Sequence, residues 1–91
     1  MDIELYERIR GEILDLLSKV GHLLPERNID DVRVFADVAE FGLAVELICV
    51  QLYEYDRKLS AEPLKMLQSL VDELRLNDDL MDGLAAGDRA P

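Results

Sequence analysis

The chain has 91 residues, 49% of them apolar but only 5% aromatic, and 20 acids against 10 Lys and Arg give a formal net charge of −10. That length carries one core and excludes a cofactor fold with its own substrate domain, and the aliphatic, Leu-rich make-up predicts helices and excludes wholesale disorder. The acidity argues against nucleic acid or an anionic membrane as a direct partner through like-charge repulsion, and it favours a basic one.

The opening MDIELYERIR mixes charges from its second residue and lacks the basic-then-apolar order of a secretory signal, which predicts a cytoplasmic product. From Asp2 to Val20, Ile3, Tyr6, Ile9, Ile13, Leu16, Leu17 and Val20 recur at helical spacing, with Asp2 as N-cap and Gly21 as C-cap. His22, with no second His and no Cys pair, reads as a helix-end or solvent group and not as a metal ligand. Leu23-Leu24-Pro25 begins a connection, after which Asn28 or Asp30 caps a second helix through about Ala39, with Ile29, Val32, Phe35 and Ala36 inward. Glu40-Phe41-Gly42 reads as a tight turn, with Gly42 freeing the backbone and Phe41 tucked into the junction of a helical hairpin.

The third helix, Gly42 to Asp56, is the stretch on which the rest is expected to pack. Leu43, Ala44, Val45, Leu47, Ile48, Cys49, Val50 and Leu52 cover nearly its whole circumference, while Glu46, Tyr53 and Glu54, at i, i+7 and i+8, share one flank. It is too short and too interrupted to span a bilayer, which takes about 20 apolar residues. Asp56 to Leu59 is a polar link, Ser60 an N-cap, and Pro63 sits in the first turn of a fourth helix whose inward stripe is Leu64, Leu67, Leu70, Val71 and Leu74. Beyond Asn77, Leu80, Met81 and Leu84 can form one more amphipathic turn, and residues 85–91 read as a flexible tail. The expectation is an all-α antiparallel bundle of four helices, with a short fifth at the C-terminal end, in a single domain over residues 1–84.

No Gly-rich phosphate loop, HExxH, paired Cys or paired His is present, so neither an enzyme, a cofactor nor a metal site is expected. Asp78, Asp79 and Asp82 lack the spacing and closing Glu of a calcium loop and read as an acidic helix start. The single Cys49 excludes an internal disulfide and reads as a buried structural thiol. Glu4 with Arg8 and Glu54 with Lys58 are spaced as surface i, i+4 pairs. Charge is uneven: between Asn28 and Asp56 lie Asp30, Asp31, Asp37, Glu40, Glu46, Glu54 and Asp56 against Arg33 alone, a balance of −6. The plain reading of such a run is a solvated face. The functional one is a surface for a cationic partner, with Tyr53 and Tyr55 as aromatic anchors.

These residues also carry a resemblance. Glu40-Phe41-Gly42-Leu43-Ala44, then Glu46-Leu47-Ile48-Cys49, then Gln51 to Asp56 (QLYEYD), preceded by DDVRVFADV, resemble the MafI-type immunity proteins of bacterial polymorphic-toxin loci. The likeness is dense over about a third of the chain and looser over the first and fourth helices, and it departs at Val50 and after Asn77. It implies a cytoplasmic protein that binds a cognate toxin effector domain, monomeric in that complex, and neutralises it by stoichiometric occlusion. Such toxins are often nucleases or other nucleic-acid-acting enzymes with basic clefts. The toxin-binding residues expected on this reading are Asp30, Asp31, Asp37, Glu40, Glu46, Tyr53, Glu54 and Asp56. Two other classes compete: a homodimer or scaffold module joined through the fourth helix and Leu80 to Leu84, and a small acidic enzyme, for which no convergent set of groups is visible.

Overall fold

A computed structural model describes residues 2–86, which form four α-helices: α1 Ile3–Val20, α2 Glu26–Asp37, α3 Phe41–Glu54 and α4 Ala61–Glu73. Short 3₁₀ turns follow α1 at Gly21–Leu23 and α4 at Asp78–Met81, so the fifth element is a single turn. The all-α expectation holds.

α1 starts where the Asp2 carboxylate accepts the Glu4 N–H at 2.8 Å. Gly21 does not stop it in a left-handed cap; its φ is −57° and its N–H still donates to the Leu17 carbonyl before the chain tightens into the 3₁₀ turn. Close packing explains this glycine, because a Cβ there would meet Ile29 Cδ1 at 3.4 Å. α2 begins earlier than a search for polar caps predicts. Pro25 occupies its N-cap position, with Leu24 extended before it, and Asn28 lies inside the first turn, buried. The proline fixes φ at −59° for the entry to the helix, its carbonyl accepts the Asn28 and Ile29 N–H groups at 3.0 and 3.3 Å, and no side chain caps the first turn.

α2, α3 and α4 all end in the same way. Ala39, Asp56 and Arg75 take φ of 63°, 52° and 56°. The following N–H groups of Glu40, Arg57 and Leu76 then reach back to the carbonyls of Phe35, Leu52 and Val71 at 2.8, 2.8 and 2.9 Å. These are Schellman closures without glycine. The turn between α2 and α3 therefore pivots on Ala39, and Gly42, expected in that turn, lies inside α3 with Leu76 close by.

α2 and α3 form the expected hairpin. α1 packs against α2, α3 and α4, and its contact with α4 is the more extensive of those with the helices. The core runs from Ile13, Leu16 and Val20 of α1 through Val32 and Ala36 to Phe41, Val45, Ile48 and Leu52, and ends on Leu67, Leu70 and Val71. The segment after α3 is not a purely polar link. Leu59 is buried, its N–H donates to the Leu84 carbonyl at 2.6 Å, and its own carbonyl accepts from Ala86 at 2.9 Å. Residues 85 and 86, assigned to the tail from sequence, are thus tied to the bundle, while residues 87–91 lie outside the described part. Leu84 is fully buried and Leu80 partly so, which removes Leu84 from any contact between copies.

Among the described residues no helix is long and apolar enough to cross a membrane.

Candidate protein-binding surface

α3 is covered on one side only. Phe41, Ala44, Val45, Ile48, Cys49 and Leu52 are buried, but Leu43 is 47% and Val50 45% exposed, and Leu47 is half-buried. The helix expected to be buried except for one acidic flank has a wider outward face. Leu43, Leu47, Val50 and Glu54, at i, i+4, i+7 and i+11, run along it, and Glu46 and Tyr53 lie on the adjoining line one turn-step round. Tyr53 is 66% exposed. The predicted flank of Glu46, Tyr53 and Glu54 is therefore real and open, and it continues into aliphatic surface that periodicity alone had assigned to the core.

The other predicted acids divide. Asp30, Asp31 and Glu40 are exposed, and among the described residues none has a base within ion-pair distance. Asp37 is committed inside the domain: its Oδ1 takes the Nε–H and Nη2 of Arg10, each at 2.8 Å, while Tyr6 Oη donates to the Asp37 carbonyl at 2.6 Å. That clamp holds the C-terminal end of α2 on α1, beside the tilted pair of Tyr6 and Phe41 with ring centroids 5.7 Å apart. Asp37 is thus a fold residue as much as a surface one, and the Arg10 guanidinium is held above its ordinary range chiefly by that hydrogen bond. Asp56 turns out to be the left-handed closing residue of α3 and lies 3.4 Å from Lys58 Nζ. Neither expected i, i+4 pair forms. Arg8 joins Glu12 at 2.8 Å and Glu73, and Lys58 donates to the Gly83 carbonyl in addition to meeting Asp56.

Two placements on α2 and α3 run against electrostatics. Their last turns contain no base and end in Asp37 and Glu54, next to the negative end of each helix dipole. Arg10 compensates the first of these, and no base in the described residues reaches Glu54. A carboxylate in that position disfavours the helix by about 0.3 to 1 kcal/mol.

One concave feature adjoins this face. A cleft of about 320 Å³ lies between α3 and the turn at Asp78–Met81, lined by Cys49, Val50, Tyr53, Asp79, Leu80 and Asp82. The Asn77 side chain fixes that turn by accepting the Asp79 N–H at 2.9 Å. Gly83 then turns with a φ of 76°, and a Cβ there would lie 3.7 Å from the Tyr53 ring. Cys49 is buried at the cleft's edge, and burial, helped by the Glu46 charge, pushes its thiol up to about 12, so it is neutral at pH 7 and no nucleophile. Among the described residues no group of three or more His, Cys, Asp or Glu is arranged to hold a metal ion. Asp79 and Asp82 read in the sequence as part of an acidic helix start, and only the fold brings them to one cleft with Tyr53.

Compared with protein-family models, curated proteins and solved structures, the chain matches none of them.

Proposed function

We propose that the chain is an immunity-type protein, similar to the MafI kind, that binds a cognate basic toxin domain in the cytoplasm and occludes it stoichiometrically. The observation that supports this reading is the outward face of α3, where Glu46 and Glu54 stand among exposed Leu43, Val50 and Tyr53 with no base paired to them among the described residues. A surface that combines aliphatic area, an aromatic anchor and uncompensated carboxylates suits a cationic protein better than it suits water. Asp30, Asp31 and Glu40 extend the negative potential and steer association, a role that needs no desolvated contact. The likeness of Glu40 to Asp56 to the immunity family points the same way.

The test is capture. The chain, co-expressed with the product of a toxin reading frame adjoining its gene, is expected to co-elute with it one to one and to suppress its toxicity. Lack of binding together with unrelieved toxicity would overturn the reading. Self-association through the same face is the second reading, since Leu43 and Val50 expose aliphatic surface. Two copies so joined bring the Glu46 and Glu54 carboxylates of one near those of the other, which opposes pairing. A dimer persisting at low micromolar concentration in sedimentation, insensitive to Val50→Glu, would exclude this arrangement as well.

A further inference from the structure

The cleft beside α3 has a chemistry of its own. At about 320 Å³ it stands at the low end of the roughly 300 to 1,000 Å³ of small-molecule and cofactor sites, with room for one large side chain. Its lining is mostly apolar, with Val50, Leu80 and Tyr53, and includes two acids, Asp79 and Asp82. Among the described residues neither carboxylate pairs with a base. Lys58 is turned to the Gly83 carbonyl and to Asp56. The neutral thiol of Cys49 adds no charge. A mostly apolar lining with two acids beside an exposed aromatic ring demands a ligand with an aliphatic stem and a delocalised cationic head.

Resting on the binding function proposed above, we infer that this cleft is the receptor for one arginine side chain of the partner protein. The stem lies on Val50 and Leu80, and the guanidinium pairs with Asp79 and Asp82 beside the Tyr53 ring. Arginine fits better than lysine because its planar fork serves two carboxylates at once, stacks on an aromatic face and sheds water more readily than an ammonium. The inference extends the partner surface beyond the α2–α3 hairpin to the turn after α4, with Val50 and Tyr53 common to both. It also gives the exposed ring a task that steering by acids does not require.

The probe is N-acetyl-arginine amide, titrated into the full chain by NMR with its lysine and citrulline counterparts as controls. Saturable shifts are expected in the Val50 and Leu80 methyls and the Tyr53 ring. They should be roughly tenfold weaker for the uncharged citrulline compound, in line with the loss of a charge-assisted hydrogen bond. Asp79→Asn with Asp82→Asn should abolish them, and Tyr53→Leu, which keeps an apolar wall, should weaken them. All three sites are on the surface, and the unperturbed remainder of each spectrum reports that the variant is folded. No saturable shift, equal shifts with citrulline, or shifts spread over every acidic residue would each overturn the inference. The titration needs no toxin, so its failure leaves the capture experiment above to stand or fall alone, and failed capture does not touch a pocket that binds the probe.

Discussion

The seam between α1 and α4 and the outward side of α2 and α3 treat the same kind of residue differently. Along the seam bases bridge acids near both ends, Arg8 joining Glu12 and Glu73 and Lys19 lying 3.3 Å from Glu62, while Glu4, Glu7, Asp15 and Asp72 of the same helices meet no base among the described residues. On the α2–α3 side Arg10 satisfies Asp37 and Lys58 meets Asp56, while Asp30, Asp31, Glu40, Glu46 and Glu54 have no base among the described residues. Both regions are acidic, and the difference lies in the bases, which bridge the seam near both ends and, among the described residues, leave the outward face of α3 without any. An acid that has an internal partner is part of the fold, and an acid without one is available to something else. Total charge does not make that distinction, and only the placement of the bases does.

The largest effects should separate the two faces of α3. Leu52→Ala removes a fully buried side chain and is expected to lower stability by about 2 to 5 kcal/mol. Val50→Ala, on the exposed face two residues away, should stay within about 0.5 kcal/mol. Leu47→Ala, half-buried, should fall between them. Urea denaturation checks all three, and a Val50 cost equal to that of Leu52 would mean the outward face is not outward.

Charge reversal probes the compensation itself. Glu46→Lys and Glu54→Lys should weaken partner binding by about 2 to 5 kcal/mol where the acid is desolvated in the complex and by little at its rim, with helical content unchanged. Asp37→Lys cannot serve as the same test, because it also breaks the Arg10 clamp and should lower stability as well. Glu12→Lys is compromised in the same way by Arg8. Glu4→Lys is the better control, since that side chain is exposed and among the described residues pairs with no base, the loss of its favourable first-turn position costing α1 about 0.3 to 1 kcal/mol. Calorimetry on the captured complex measures the difference, and equal losses at Glu4 and Glu46 would reduce the special face to a net-charge effect.

Much of this was legible from periodicity. The four helices, the Asp2 cap, the buried thiol and the stripe of α4 follow from spacing that each segment carries within itself. What could not be read depends on distant parts of the chain. α3 is apolar nearly all round, and a sequence does not state which of its sides another helix will cover. Arg8 meets Glu73 across 65 residues, so the nearer i, i+4 partner Glu4 was the natural but wrong choice. The helix ends were missed for a different reason: glycine is the usual signal for a left-handed closing residue, and here Ala, Asp and Arg do that work.

Those closures offer a smaller effect on the folded side of the comparison. A left-handed backbone costs an L-residue about 1 to 2 kcal/mol, partly offset because glycine loses more entropy on folding. Arg75 is exposed and unpaired among the described residues, so Arg75→Gly should raise stability by about 0.5 to 1 kcal/mol. Ala39→Gly should gain less, because the Ala39 methyl packs partly on the core and its loss offsets the relief of strain. A drop in stability for Arg75→Gly, read from thermal melts, would show that the arginine contributes something its surroundings do not reveal.

The smallest expected effect concerns the compensated seam and depends on pH. The Arg8 hydrogen bond holds the Glu73 carboxyl below its ordinary 4.5, so the folded state binds that proton less readily than the unfolded chain does. The stabilisation is therefore fully present above about 4.5 and is lost as pH falls through the lowered folded value. Because both partners are exposed, the contribution is modest and screened by salt. Glu73→Gln should accordingly melt slightly below the unmodified chain at neutral pH, and the gap should close on acidification and in 1 M salt, where the Debye length falls to about 3 Å. Glu54→Gln should do the opposite at neutral pH and leave the melting temperature unchanged or higher, since no base is lost and a charge opposed to the α3 dipole is removed. If both substitutions lowered the melting temperature alike, Glu54 would have an internal partner of its own and the contrast between seam and face would fail at the residue that matters most to it.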